Sequence, residues 1–401
     1  MSVWLIATMD TKAEEARFLR TALEKRGLRV SLIDTGILAE SPADVQITQR
    51  QVLGARMEAA KAAKTRAEAS VFMAEGLCET VCALHRAGEL DAVVSLGGSG
   101  GTTLASAAMR ALPLGIPKVI VSTMASGDTL PYVQGEDILL INPVVDLQSL
   151  NFMTRHALSR AAAIVSGMLS VPLERRDTRP TVAITGFGVT TPCVDRCVRC
   201  LERAGCEVVV FHARGVSGGR IMEKMIAEGH FAGVLDLTTS EIADEVGGGI
   251  YAVGPQRMST AARMGVPYVV TAGALEMINL GNEQTLTREQ KSRVLYRHSP
   301  SSVKMRADAQ EMKRAAGLFI ERLGVDQANA EVLIATRGFS MVNREGQVFY
   351  DPQADGVFMD TLLHGMPDHV PVTLVDAHQN DEAFADLCAE RLLTRMAKAK
   401  N

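Results

Sequence analysis

Four glycines fall within five positions in the run Ser95-Leu96-Gly97-Gly98-Ser99-Gly100-Gly101-Thr102-Thr103. An apolar run, 91–96, leads into it, and a stretch with helical character, 104–112, follows. A glycine-rich turn between a strand and a helix leaves the backbone free to take positive φ and to approach a ligand closely. The amides that open the following helix, with its dipole behind them, suit an anion. A tight turn needs only one glycine, so the run points to a phosphate- or nucleotide-binding loop, with a plain turn as the alternative. Thr102 and Thr103 add hydroxyls that serve either a phosphate or a helix cap. The spacing is neither G-x-x-x-x-G-K-[ST] nor G-x-G-x-x-G.

The residues around this loop repeat the same alternation. β-branched runs at 3–8, 29–34, 92–96 and 118–122 read as strands. Residues 12–26 carry Ala16, Leu19 and Leu23 at helical spacing, and Gly27 ends that helix. Residues 39–69 are polar and Ala-rich and read as a mobile loop leading into a helix over 71–87. Strand, helix, strand at this spacing predicts a parallel sheet with right-handed crossovers, in which ligands collect at the carboxyl ends of the strands. Asp10, Thr11, Lys12, Asp34, the glycine loop and Thr123, Ser126, Gly127 and Asp128 all follow strands, and are expected to converge on one edge.

A helix over 151–169 closes the first unit. The charged, proline-bracketed stretch 171–180 reads as a linker, which sets domains at 1–175 and 180–401. Alternation then resumes, with strands at 181–185, 207–211, 233–237, 268–271, 331–335 and 372–375 and a final helix over 382–399. A second glycine loop, His212-Ala213-Arg214-Gly215-Val216-Ser217-Gly218-Gly219-Arg220, lies between strand and helix. Arg214 and Arg220 supply bidentate donors for phosphate or carboxylate, or are solvated arginines beside a turn. Glu241 follows the next strand and reads as a general base, a metal ligand or an exposed helix-start carboxylate. His298 and Arg306 lie in a loop-rich stretch, 296–308. Cys193, Cys197 and Cys200 have the spacing of an iron–sulfur motif. They also fall at i, i+4 and i+7 on one face of a helix, where cysteine packs as a small hydrophobe.

Composition narrows the function classes. A chain of 401 residues needs more than one core. A net charge of −4 and 4% aromatics argue against a nucleic-acid binder. The seven scattered cysteines fit a reduced setting. No run is long enough to span a bilayer and the first residues read as a buried strand, so a cytoplasmic protein without a membrane or nucleic-acid partner is expected.

Several runs together resemble the ATP-binding family that includes the tomato mosaic virus resistance protein and bacterial homologues. They are the loop 96–102, Val121-Ser122-Thr123-Met124-Ala125-Ser126-Gly127-Asp128, and Gly186-Phe187-Gly188-Val189-Thr190-Thr191-Pro192. Phe211-His212-Ala213, Gly218-Gly219-Arg220, Leu235-Asp236-Leu237-Thr238-Thr239 with Glu241, and Asp351-Pro352 with Ala354-Asp355 complete the set. The resemblance implies two Rossmann-like domains in tandem, with ATP in the amino-terminal one. His298-Ser299-Pro300 stands where that family tends to have His-Asn-Pro, so the departures fall in the second half.

The combined expectation is an α/β protein of two Rossmann-like parallel-sheet domains in tandem with an interdomain cleft. Residues 97–103 would hold the phosphates of ATP, Lys12 would neutralise them, and Asp10 or Asp128 would hold Mg²⁺. Gly186, Phe187, Arg214, Gly218, Gly219, Arg220 and Arg306 would bind a small acidic metabolite, with Glu241, His212 and His298 as catalytic groups. The reaction would be ATP-dependent phosphoryl or nucleotidyl transfer or ligase-type activation. The alternative is a nucleotide-gated binding or regulatory protein without turnover. A homo-oligomer is expected.

Overall fold

β1 (Ser2–Ala7) consists entirely of buried residues, and its side chains alternate between two separate cores. Val3, Leu5 and Ala7 join one core with Ala16, Leu19, Leu158 and Val165. Trp4 and Ile6 join the other with Met73, Leu77, Leu104 and Met109. A strand covered on both faces must be apolar throughout, which is why β1 shows no polar alternation. In the computed structural model, residues 1–37, 39–172, 178–299, 301–326 and 328–399 are described. Parallel to β1 run β2 (Arg29–Asp34), β3 (Ala92–Gly97), β4 (Lys118–Ser122) and β5 (Ile138–Ile141), in the order β2-β1-β3-β4-β5. Helices Met9–Glu24 and Phe152–Ser170 cover one face, and Arg66–Arg86 and Ser99–Arg110 the other. The strand order reverses between β1 and β3, so their carboxyl ends open a crevice of the kind that holds ligands in such sheets.

The chain divides into two compact units, Met1–Arg175 and Arg176–Asn401. The central part of the expected linker, residues 173–177, lies outside the described residues. In the second unit come β6 (Thr181–Gly186), β7 (Glu207–His212), β8 (Gly233–Asp236) and β9 (Tyr268–Thr271). A small antiparallel sheet follows, β10 (Met277–Leu280), β11 (Leu295–Ser299) and β12 (Ser302–Arg306), ordered β10-β12-β11. β13 (Ala330–Ala335) and β14 (Val372–Val375) complete a six-stranded parallel sheet, β7-β6-β8-β9-β13-β14. In order of appearance, its first five strands repeat the arrangement of the first unit, with the reversal between β6 and β8. The protein is therefore α/β, with two Rossmann-like units.

Three stretches differ from expectation. Residues 39–69 are not one loop. Thr48 and Gln51 form a reciprocal cap on a helix, Gln49–Leu53, a second helix spans Met57–Ala62, and the long helix begins at Arg66 behind a Thr65 cap. These caps are local signals that the low apolar content masks. Residues 296–308 are mostly the β11–β12 hairpin, whose charged residues obscure its period. β5 is a short edge strand. Among the described residues no helix is long and apolar enough to cross a membrane.

Cys193 and Cys197 are fully buried on helix Thr191–Arg203, in one core with Leu201, Phe384 and Cys388. Cys200 is half-buried, its thiol donating to Asp386 at 3.1 Å. A hydrogen bond with the neighbouring Cys193, with burial adding to it, pushes the Cys197 thiol well above its ordinary range, the opposite of what a metal thiolate needs. Cys197→Ala removes a sulfur from a close-packed core and is expected to cost about 1–3 kcal/mol, read from urea unfolding. Protein purified anaerobically is expected to carry no stoichiometric iron.

Candidate functional site

The first glycine loop is open. Gly98 is the N-cap of helix Ser99–Arg110, with φ −85°, and no side chain caps that helix. None of Gly97, Gly98, Gly100 or Gly101 takes positive φ, contrary to expectation. Backbone conformation therefore does not demand glycine at residues 98 or 101. Nor does packing: a Cβ on Gly98 would meet only Thr123 Oγ1 at 3.8 Å, and one on Gly101 only Leu96 O at 3.5 Å. Of Gly97, Gly98 and Gly101, Gly97 is the tight one, with a Cβ 3.3 Å from Gly101 Cα. Ser99 and Gly100 are exposed. What the missing side chains leave is an uncovered row of first-turn amides at the positive end of a helix.

Space surrounds this row. Ser99, Gly100 and Thr103 line a groove of about 810 Å³ with Val71, Ala74 and Cys78 of helix Arg66–Arg86. Gly100 also lines a small cavity with Thr8, Asp10, Thr35 and Gly36, so the ends of β1, β2 and β3 meet as expected. Thr123 and Ser126 line a third cavity, of about 290 Å³, with Asn142 and Asp146.

Several predicted nucleotide contacts are engaged elsewhere. Asp34 is buried, accepting from the amides of Met9 (3.0 Å) and Gly36 (2.7 Å) and from Ser41 Oγ (2.6 Å). It braces the loops after β1 and β2. Thr102 is fully buried, its hydroxyl shared between Gly98 O (2.8 Å) and Ser122 Oγ (2.6 Å). Lys12 Nζ donates to Leu147 O at 2.6 Å. Asp128 caps the amide of Leu130 at 3.0 Å and does not line the Asp10 cavity. Thr103 and Ser126 donate to Ser99 O (2.9 Å) and Thr123 O (3.2 Å) from exposed positions, and Gly127 is exposed. Thr11 is exposed, its hydroxyl 3.1 Å from that of Thr8. Asp10 faces its cavity and accepts from the Ile37 amide at 3.0 Å.

The second glycine loop is filled by its own chain. Glu241 Oε1 accepts from the amides of Gly215 (2.6 Å) and Gly219 (3.1 Å), the donors expected to hold a ligand. Its Oε2 accepts from Arg257 Nε at 2.5 Å. Arg257 also grips Asp236 through both terminal nitrogens, at 2.5 and 2.7 Å. All three side chains are 0% exposed. Burial opposes the charge of Arg257, and the adjoining Asp236 and Glu241 carboxylates more than offset it, so its pKa rises. Burial raises Glu241 against the pull of Arg257. Glu241, expected as a base or an exposed helix-start carboxylate, has both oxygens engaged inside the protein and no exposure to solvent. Here the glycines are explained by packing. Gly215 has φ +72°, a Cβ on Gly218 would collide with His212 O, and one on Gly219 with Glu241.

Arg306 is likewise a brace. It is buried, paired to Asp355 at 2.6 Å, and donates to Phe349 O (2.8 Å) and Ala307 O (2.7 Å). His298 is exposed on β11, its ring 6.3 Å from that of Tyr296. Arg220 is half-buried at the start of helix Gly219–Ala227. Gly186 ends β6, where a Cβ would press on Val194 at 3.3 Å.

Three predicted residues do gather, around one that was not predicted. Phe187 stacks on His212, with ring centroids 5.2 Å apart. Lys304 Nζ sits 4.5 Å from the Phe187 centroid. Arg214 lies 5.2 Å over the Tyr251 ring and donates to its hydroxyl at 3.1 Å. Burial lowers the His212 pKa, a hydrogen bond with Gly186 O opposes this, and Arg214 and Lys304 add to the depression. Lys304 and Arg257 carry no motif. Each is one cation in an irregular stretch, and only the fold reveals what it touches.

Residues 1–174 match the model of the N-terminal domain of an uncharacterised protein family, UPF0261, and residues 179–396 match that of its C-terminal domain. The chain belongs to the UPF0261 family. A UPF0261 protein of Clostridium tetani is 39% identical over 399 residues, covering 98% of each chain. One from Mesorhizobium japonicum is 36% identical, covering 96% of this chain and 97% of its own. The ToMV resistance protein Tm-1(GCR237) of Solanum lycopersicum is 34% identical over 100% of this chain, which spans 56% of that protein.

The Arg257 network generates a test within this UPF0261 fold. Arg257→Met strands the Asp236 and Glu241 carboxylates in the core and is expected to cost about 3–5 kcal/mol in urea unfolding near neutral pH. Stranded carboxylates have a folded pKa above the unfolded value, so they take up protons on folding. The deficit is therefore expected to shrink as pH falls from 7 toward 5, opposite to the loss of an ordinary paired carboxylate.

Proposed function

We propose that the first unit binds ATP, with its phosphates on the amides of residues 98–101. The second unit, in this reading, holds a small acidic ligand. The observation that carries the first part is the pair of glycines at residues 98 and 101. Neither φ nor packing requires them, and they uncover the first turn of an uncapped helix at the sheet's switch point. The apolar groove along helix Arg66–Arg86 offers an adenine a place beside those amides. The resemblance to an ATP-binding family names the nucleotide.

Asp10 is the oxygen donor suited to Mg²⁺, because it lines the same cavity as Gly100. A bound Mg²⁺ would shield phosphate charge there. Asp128, spent on its own helix cap, is a poorer ligand.

ATP-dependent transfer to the acid is one outcome of this arrangement. A nucleotide-gated binding protein without turnover is the second, and the burial of Glu241 favours it, since the expected base is locked in the core. Steady-state release of ADP or AMP in the presence of candidate acids separates the two.

Gly98→Val tests the loop. The added Cβ has room in the fold but covers the amides, so the variant is expected to melt close to the native protein. Its ATP affinity is expected to fall at least ~30-fold, about 2 kcal/mol, by calorimetric titration. Unchanged affinity in the folded variant removes the loop from the ATP site.

A further inference from the structure

Lys304 occupies the central strand of the small antiparallel sheet, directly opposite Asn279 on β10 and Tyr296 on β11. It is 3% exposed, so its amine does not reach bulk water as a surface lysine does. Its polar contact is neutral: Nζ donates to Asn279 Oδ1 at 2.9 Å, with the Phe187 ring beside it.

The nearby acids make their hydrogen bonds to other groups, and Glu276 Oε2 is buried without one. Asp244 accepts from the Asn279 amide (2.6 Å), Asn279 Nδ2 (3.2 Å) and the Tyr251 amide (2.9 Å). Glu276 accepts from the Ser340 hydroxyl. Among the described residues neither Lys304 nor Arg214 forms an ion pair. Burial, with Arg214 adding to it, pulls the Lys304 amine down to about 8, against the pull of Asp244 and Glu276.

Three nitrogen groups thus lie within electrostatic reach of one another at the ends of β6 and β7, with no carboxylate closing on any of them. A buried cation with no carboxylate in direct contact is costly, and Asp244 and Glu276 act on Lys304 only from beyond ion-pair distance. The rim beside the cluster is open to solvent: His212, Arg214 and Gly188 are exposed, and a Cβ on Gly188 would meet nothing within 4 Å. The location is also one where parallel sheets hold ligands, beside the reversal between β6 and β8.

We propose that Lys304, with Arg214 and His212, forms an anion site at the carboxyl ends of β6 and β7 for a small carboxylate or phosphate ligand. Lys304 supplies the buried charge, Arg214 a bidentate fork at the rim, and the Phe187–His212 stack an apolar wall. This deepens the reading of the second unit as the acid-binding one by naming the residues that recognise the acid. It also moves recognition away from the Gly215–Gly219 amides, which Glu241 occupies.

The test uses the full chain and four probes, oxalate, malonate, citrate and inorganic phosphate. Each is titrated by calorimetry and thermal melting at neutral pH, with ionic strength matched by sodium chloride. At least one probe is expected to raise the native melting temperature above the chloride control. The carboxylate and phosphate arms then decide which chemistry the site prefers. Lys304→Met preserves most of the volume and removes the unpaired cation. It is expected to melt at or above the native temperature without ligand, and to lose at least ~10-fold in affinity, about 1.4 kcal/mol. A purely structural lysine predicts the reverse, a less stable variant.

Arg214→Gln, at an exposed position, is expected to weaken the same probe while leaving the fold intact. The proposal is overturned if no probe acts beyond chloride, or if folded Lys304→Met binds as the native protein does. It is also overturned if Lys304→Met fails to fold and Arg214→Gln binds unchanged. ATP titration of the native protein runs alongside. ATP binding without a response to any probe sinks this inference alone, and a probe response without ATP binding sinks the nucleotide reading alone.

Discussion

The second unit depends on one guanidinium. Arg257, with no exposure to solvent, holds Asp236 at the end of β8 and Glu241 in the first turn of the next helix. Asp236 in turn accepts from Thr185 on β6 (2.6 Å) and from the hydroxyl of Tyr268 on β9 (2.7 Å). Glu241 carries the tie to the amides of Gly215 and Gly219. Three neighbouring strands and a glycine loop are thereby fastened to a single side chain. Such a network holds together only when every member is satisfied, because each lone buried charge is far more costly than the assembled set.

That network changes what the strand-end rim offers. The two sheets share their strand order through five strands, so each has a crevice where the order reverses. In the first unit the helix after the third strand begins at Gly98 and its opening amides are bare. In the second, Glu241, from the helix after the third strand, reaches back and satisfies the adjoining glycine loop. The same architecture thus presents uncapped helix-start amides in one unit and a self-neutralised glycine loop in the other. Positive charge in the second unit is found instead along the rim, at Lys304 and Arg214 beside the His212 imidazole, where the antiparallel hairpin brings in a residue that the parallel sheet alone does not contain.

Much of the fold was legible in the sequence because parallel strands buried on both faces are uninterrupted apolar runs. β1 is of this kind, and β3, β4, β6 and β13 come close, each buried along its whole length with only an isolated polar residue or two. Where the signal is weaker, legibility drops: β5 is a short edge strand, β11 carries Arg297 and His298, and residues 39–69 fold through caps rather than apolar period. For the candidate site, sequence located the strand ends but not the partners. Asp34, Thr102, Glu241 and Arg306 all stand at plausible positions, and each is consumed by the protein's own polar groups. Hydrogen-bond satisfaction is a tertiary property, and no spacing rule carries it.

The glycines illustrate what does discriminate. A glycine run in sequence says only that side chains are missing, and the useful question is what would occupy the place of each absent Cβ. At Gly215, Gly218 and Gly219 the answer is the protein itself, through Tyr251, His212 and Glu241. The fold is sufficient reason for those residues, and no ligand need be invoked. At Gly98 the answer is nearly empty space bordered by amides, and the backbone there is one that any residue adopts. A glycine that the fold does not require, at the positive end of an uncapped helix on the switch point of a parallel sheet, is the kind on which the proposed ATP site rests, whereas Gly215, Gly218 and Gly219 give it no support.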